Sequence, residues 1–393
     1  MYTSKTLMTC LLVCSALLTA CSKKEKPLTI KVQNTLNINR DFETVELSKT
    51  FLKTESLDNI GIRNTNTGNH VITQTVDTND DGISDEILFQ PQIAANSEIT
   101  YEIVTNYDGV GLQAEDVCYS RFVPERTDDY TWENDKVAFR VYGPTAQKMA
   151  EKGDPAGTLS SGVDAWLKRV SYPIINKWYK ETTEGTGSYH VDTGEGLDNF
   201  HVGVSRGVGG IAIKADSSFY FSKNYTKWQT ITNGPIRTSF YLEYESWDAA
   251  GYSIIESKII SLDRGNNLSK FTLSIDGVQD IYAGLTLHEK DGEVTGNNDF
   301  GWVSYWEPHG DSELGTAIVA PKNTFLGFEK YDTEAKDLSN AYAHLKVENN
   351  QVVYYAGFGW KKSQQFENEE QWVNYLNTFS KCINNPLKVS LVE

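Results

Sequence analysis

Leu28-Thr-Ile-Lys-Val32 and Ile99-Thr-Tyr-Glu-Ile-Val104 each alternate apolar and polar residues, the period-two pattern of a strand with one face buried and one wet. Runs of this kind, broken by Asn, Asp and Gly, fill residues 28–110 and predict a compact N-terminal β unit. The rhythm continues through residues 111–393, where strands are expected at Val137–Tyr142, Gly210–Lys214, Thr238–Tyr244, Lys270–Ile275, Ala317–Ala320 and Val352–Tyr355. The tail Pro386-Leu-Lys-Val-Ser-Leu-Val392 reads as a last strand. Two segments break the pattern and are expected to be helical: Asp164–Val170, continuing past Pro173 to Trp178, and Asn368–Phe379. In the second, Trp372, Leu376 and Phe379 fall on one face, and Glu369 and Glu370 sit in the first turn, where the helix dipole favours them.

Composition agrees with a mostly β protein. The 393 residues include 21 Tyr, 16 Phe, 9 Trp and 30 Gly against 3 Met, a balance that favours strands and turns over helical bundles. So many strands over about 280 residues predict two large antiparallel sheets packed face to face, with a concave face rimmed by loops. Thirty-six basic against 53 acidic residues give a formal charge of −17. Such a surface repels phosphate backbones, so nucleic acid is excluded as a partner, and an anionic substrate would need a local basic cluster.

Residues 1–20 read as a secretory signal: Lys5 precedes the apolar run Leu7–Leu18, which is too short to span a bilayer. Leu18-Thr19-Ala20-Cys21 resembles a bacterial lipobox, so Cys21 is the expected lipidation site and residues 21–27 a solvated tether. The expected location is the cell envelope, on the periplasmic side or the outer-membrane surface. Cys10 and Cys14 leave with the signal, which keeps only Cys118 and Cys382 in the fold. They either pair as one disulfide or stay as two thiols, and neither outcome builds a thiolate metal cluster.

Asp77-Thr-Asn79-Asp-Asp81-Gly82-Ile-Ser-Asp85 spaces oxygen ligands as a calcium loop does, with Asp77, Asn79, Asp81 and Asp85 as ligands, but Leu88 stands where the closing acid belongs. A structural calcium and a metal-free acidic turn are both compatible with this stretch. The stretch from Tyr189 to Gly210 packs two imidazoles, three acids, one guanidinium and six glycines into 22 residues. Imidazole beside carboxylate is the usual general-base or metal arrangement. A metal held by His190, Asp192, Glu195 and Asp198 is one reading, although the spacing matches no standard ligand motif. Arg121 and Arg126 are candidate carboxylate or sulfate forks, with Tyr130 and Trp132 beside them as stacking platforms. Trp166, Lys168 and Arg169, and then Trp302, Trp306 and His309, complete the candidate rim. No phosphate loop or dinucleotide fingerprint is present, so no organic cofactor is required.

In Ser120–Asp129, Asp164–Val170, Tyr189–Gly210 and the acidic turn Gln74–Gln90, the chain resembles the bacterial ulvan oligosaccharide dehydratase family, formerly a domain of unknown function found in polysaccharide utilisation loci. The resemblance spans nearly all of the chain beyond the tether. It implies a β-supersandwich of the mutarotase and polysaccharide-lyase type, and removal of water from the non-reducing-end glucuronate or iduronate of a sulfated oligosaccharide to give a 4,5-unsaturated uronate. The expected roles rest on the chemistry of that reaction: His190 as base toward H5, Arg206 or Arg126 on the substrate carboxylate, and Tyr189 or His201 as proton donor to O4. Arg121, Arg126, Trp132, Trp166, Lys168, Glu195, Asp198 and His309 are expected to contact the sugar. The competing expectations are a polysaccharide lyase or mutarotase-like epimerase, and a surface glycan-binding lipoprotein without catalysis.

Overall fold

The computed structural model describes residues 27–109 and 114–392. The signal segment, Cys21 and the tether up to Lys26 lie outside the described residues. Among the described residues no helix is long and apolar enough to cross a membrane.

Alternation does what it predicted in the N-terminal unit. In Thr29–Gln33, Ile30 and Val32 point inward, opposite Tyr101 and Ile99 of Glu98–Val104. Gly61–Asn64 and His70–Val71 extend this sheet on one side. A three-stranded sheet of Val45–Ser48, Glu86–Phe89 and Thr73–Val76 covers it, and Leu47, Ile87, Phe89 and Ile103 fill the space between. The tail is a strand, as expected, but it pairs within this unit: Lys388–Val392 runs antiparallel to Thr29–Gln33, so the chain crosses back over the 110/111 boundary. Gln74 fixes the unit to the larger region, its side chain bonding to Thr232 and to the backbone of Ile236 and Arg237.

The larger region is built from antiparallel sheets around one core. A nine-stranded sheet includes Arg237–Tyr244, Tyr252–Asp263, Leu268–Asp276, Gln351–Trp360, Ser312–Val319 and Trp302–His309. A five-stranded sheet with Val208–Ala215, Asp280–Thr286 and Asn340–Lys346 shares its core, joining Ile211, Leu285 and Leu345 to Phe240, Phe271 and Tyr354. All six strands expected here are present. The helix Glu369–Asn384 also forms, capped by the Asn368 side chain and packed through Trp372 and Leu376 on Trp306 and Val319.

The other predicted helix is corrected. Asp164–Lys168 is a strand, the helix begins only at Ile175–Thr183, and Pro173 lies between them. Within Asp164-Ala-Trp-Leu-Lys the period is two: Ala165 and Leu167 enter the main core, and Asp164, Trp166 and Lys168 occupy the opposite face. This strand belongs to a third sheet with Tyr119–Val123, Asp129–Glu133, Ala138–Val141 and Gly196–Leu197. The helix covers the sheet's outer face, packing Trp178 and Tyr179 against Trp166 and Tyr189. Cys118 and Cys382 are both free, so no disulfide joins them.

Candidate functional site

Period two decides which polar side chains meet on the covered face of the third sheet. Thr131, Arg140 and Asp164 are register partners across three strands, and Asp129 lies two residues from Thr131 on the same side. Arg140 is buried and faces three carboxylates. Its Nε and Nη2 donate to Asp164 Oδ2 at 2.9 and 2.5 Å, Nη2 also donates to Asp198 Oδ2 at 2.9 Å, and Asp129 Oδ2 lies 3.7 Å from Nη1. The hydroxyls of Tyr142 and Tyr179 donate to Asp164 and Asp129 at 3.3 and 3.1 Å. The guanidinium lies over the rings of Tyr142, Trp166 and Tyr189.

Three carboxylates against one guanidinium do not balance, and protonation absorbs the difference. Burial pushes Asp129 up to about 6 against the pull of Arg140 and Arg126. Burial, then the neighbouring Asp198, raises Asp164 further. Burial, then Asp164, also raises the Tyr142 phenol, which stays protonated. Asp129 Oδ1, Asp164 Oδ1 and Arg140 Nη1 are buried without a hydrogen-bond partner. Buried polar atoms are almost always paired, so three orphans beside shifted carboxylates make this cluster a candidate functional site.

Arg140, Tyr142 and Asp198 of this cluster line a cleft of about 550 Å³ together with His190, His201 and Asp337, while Asp129 and Asp164 lie behind them. His190 projects into solvent with its Nδ1 2.7 Å from the Asp198 carbonyl oxygen. A carbonyl can only accept, so Nδ1 carries the proton and Nε2 keeps its lone pair free. On the opposite rim, His201 Nε2 lies 3.1 Å from Asp337 Oδ2.

Of the residues expected to act, His190, Asp198 and His201 meet in this cleft, and Tyr189 lies behind it with its hydroxyl 3.4 Å from Arg126 Nε. The others belong elsewhere. Arg206 is fully buried, donates to Ser161 Oγ, Val204 O and Ile211 O and stacks on Phe221, so it braces the loop and has no face open to a substrate carboxylate. Trp132 and Trp166 are fully buried and offer no sugar platform. Lys168 is buried on Glu133 and the Asn134 carbonyl, and Arg121 is tied to Glu125. Glu195 accepts from Tyr172, Lys177 and Trp178, and Asp192 accepts from Arg169, which separates the four residues read as a metal set. His309 turns away from the cleft toward Glu307.

The glycines also serve the fold more than a ligand. A side chain at Gly196 or Gly207 would strike the carbonyl oxygen of Leu167 or Val163, and both have positive φ, so they allow close backbone packing. In the acidic turn, Asp77 accepts four backbone N–H groups, from Asn79, Asp80, Asp81 and Gly82, while Asp85 accepts from Thr78. Residue-by-residue reading of the sequence missed Arg140, Tyr142 and Asp164. The available signal was a guanidinium in the apolar run Val137–Tyr142, with a phenol two residues further on the same face.

Residues 32–389 match the family DUF4861, described as a domain of unknown function. The uncharacterized protein P7 of Formosa agariphila is 52% identical over 382 residues, which cover 96% of this chain and 97% of that protein. Among solved structures, a glycosyl hydrolase family 38 protein from Enterococcus faecalis aligns with a TM-score of 0.44 at 11% identity over 94% of this chain and 48% of that one. An α-mannosidase from Enterococcus faecalis V583 aligns at 0.42 and 10% over 94% of this chain and 46% of the other, so the chain spans about half the length of both.

Proposed function

We propose that this chain, which belongs to the DUF4861 family, is an oligosaccharide dehydratase that removes water from a non-reducing-end glucuronate or iduronate of a sulfated, ulvan-type oligosaccharide. The observation that carries the reading is the convergence of an imidazole with a free Nε2, a protonated phenol and a guanidinium in one cleft. β-Elimination at a uronate needs these three groups: a base for H5, an acid for O4, and a cation to offset the carboxylate that opposes carbanion formation.

In this mechanism His190 Nε2 takes H5, and the electron pair forms the C4–C5 double bond. The C4–O4 bond breaks as Tyr142 gives its proton to O4, and water leaves. Asp164, hydrogen-bonded to Tyr142 and held protonated by burial, can return a proton to the phenolate. Arg140 faces the substrate carboxylate. With Asp164 neutral and Arg126 beside Asp129, Asp198 is the one carboxylate left to compete for its charge. His201, held by Asp337 on the rim, is available to sulfate or to a sugar hydroxyl. Relative to the sequence expectation, Arg140 replaces Arg206 and Tyr142 replaces Tyr189. None of these steps calls for an organic cofactor.

The proposal includes an envelope lipoprotein anchored at Cys21, which rests on the leader and the lipobox-like residues alone. Incubation with uronate-terminated sulfated oligosaccharides tests the activity. The expected product is lighter by one water, unshortened, and absorbs in the ultraviolet as an unsaturated uronate. Shortened products would identify a lyase, unchanged mass with inverted C5 an epimerase, and unchanged substrate a binding protein; each overturns the reading.

A further inference from the structure

We propose that His288, Glu307 and His309 bind one divalent transition-metal ion of the zinc type, outside the cleft and bridging the nine-stranded sheet and the five-stranded sheet that shares its core. Glu307 and His309 are two residues apart on Trp302–His309 and so project from one face of that strand. His288 follows Asp280–Thr286, a strand of the other sheet. One ligand atom from each of the three lies within 4.8 Å of the others; among the described residues no other such His, Cys, Asp or Glu group occurs. His288 Nδ1 is 2.5 Å and His309 Nδ1 3.6 Å from Glu307 Oε1.

Three independent details point to an ion. Glu307 Oε2 and His309 Nε2 are buried and have no hydrogen-bond partner, although Glu307 is only 1% exposed. Leaving a buried carboxylate oxygen and an imidazole nitrogen unused is costly, and a cation coordinated by the Glu307 carboxylate would use the free Oε2. His288 Nε2 lies 3.0 Å from the His201 carbonyl oxygen. That oxygen can only accept, so Nε2–H donates to it, and Nδ1 is the ring atom left facing Glu307. A ligating imidazole is commonly oriented in this way by a carbonyl behind it. Two imidazoles and one carboxylate suit zinc and its first-row neighbours, whereas calcium and magnesium prefer oxygen-only sites.

Phe200 packs edge-on against His288, with ring centroids 4.5 Å apart, and also contacts His309. Phe200 therefore stands between the cluster and the cleft it also lines. The bond from His288 to the His201 backbone means that the ion fixes the loop carrying Asp198 and His201 without touching the substrate.

The test uses the full chain, dialysed against chelator and then titrated with Zn²⁺ by calorimetry, with Co²⁺ as a spectroscopic probe. The expected result is one equivalent of Zn²⁺ at micromolar affinity or tighter. The unfolding temperature should rise by several degrees and fall again with chelator, and Co²⁺ should give visible d–d bands that Zn²⁺ abolishes. His309→Gln and Glu307→Gln should each weaken Zn²⁺ binding at least tenfold. Absence of stoichiometric binding to the unmodified protein would show an imidazolium–carboxylate cluster instead and overturn the proposal. So would Zn²⁺ binding and Co²⁺ bands that survive both substitutions. These readouts need no turnover, so they stand or fall separately from the dehydratase reading.

Discussion

Two buried ionic clusters occupy the same face of the same sheet, only one strand length apart, and they differ in how completely their atoms are paired. At one end, Lys168 Nζ donates to Glu133 Oε2 at 2.6 Å and to the Asn134 carbonyl at 2.7 Å. Glu133 also accepts the N–H groups of Ile174 and Ile175 at the start of the covering helix. One positive charge meets one negative charge, and both side chains are fully buried. At the other end, Asp129 and Asp164 stand four residues from Glu133 and Lys168 on the same two strands, yet they share one arginine with Asp198 and leave three polar atoms unpaired. A saturated pair serves the fold. A cluster with surplus carboxylates and orphan atoms, open to a cleft, has capacity left for chemistry.

The largest effect expected from this contrast is on stability at the saturated end. Glu133→Ala leaves Lys168 buried without its partner and strips two helix N–H groups, which should cost about 3–5 kcal/mol. Denaturant unfolding checks this, and a loss under about 1 kcal/mol would mean that the two ends do not differ as described. At the open end the effect should fall on turnover. His190→Ala should lower the dehydration rate at least about a hundredfold, the low end for loss of a general base, with the unfolding midpoint unchanged because the side chain is mostly exposed. A parallel loss of stability would remove the distinction.

The next effect is a pH dependence. Asp129 is raised from the usual value to about 6 and Asp164 is raised as well, so each is more easily protonated folded than unfolded. Such groups contribute stability that is fully present below about pH 4, the unfolded carboxylate value. It is lost as pH rises through 6 for Asp129 and through the higher folded value of Asp164. Asp164→Asn, which cannot ionise, should flatten the decline of the unfolding midpoint between weakly acidic and weakly alkaline buffer. An unchanged slope would contradict the raised Asp164. Smallest of all, Asp337→Asn at the exposed rim should alter stability by no more than about 0.5 kcal/mol. It should instead raise KM a few-fold, measured at two salt concentrations.

The N-terminal sheet was legible because its strands have one wet face: Ile30 and Val32 alternate with polar neighbours and are both buried. The helix Glu369–Asn384 was legible because its apolar spacing and its acidic first turn agree. Asp164–Lys168 was misread because a helix covers its polar face, so Trp166 disguises the alternation as the stripe of an amphipathic helix. Trp132 illustrates the same limit: aromatic rings looked like a sugar platform, but period two places Tyr130 and Trp132 inward. In the cleft, His190, Asp198 and His201 were legible as a local run, whereas Arg140 and Asp164 come from separate strands and meet only through register. His288 was missed for a related reason. It is 19 residues from Glu307 in sequence, and only the packing of two sheets brings them together.

The strand Lys388–Val392 beside Thr29–Gln33 joins positions such as Thr29 and Val392 across almost the whole described chain. Loop closure of that length is entropically late, and contacts so distant in sequence slow folding. Until the tail docks, one edge of Thr29–Gln33 exposes unpaired backbone groups to any other extended segment. The vulnerable interval in this molecule's life therefore precedes that final pairing, and a chaperone or a neighbouring copy would meet it first at the edge the tail is destined to cover.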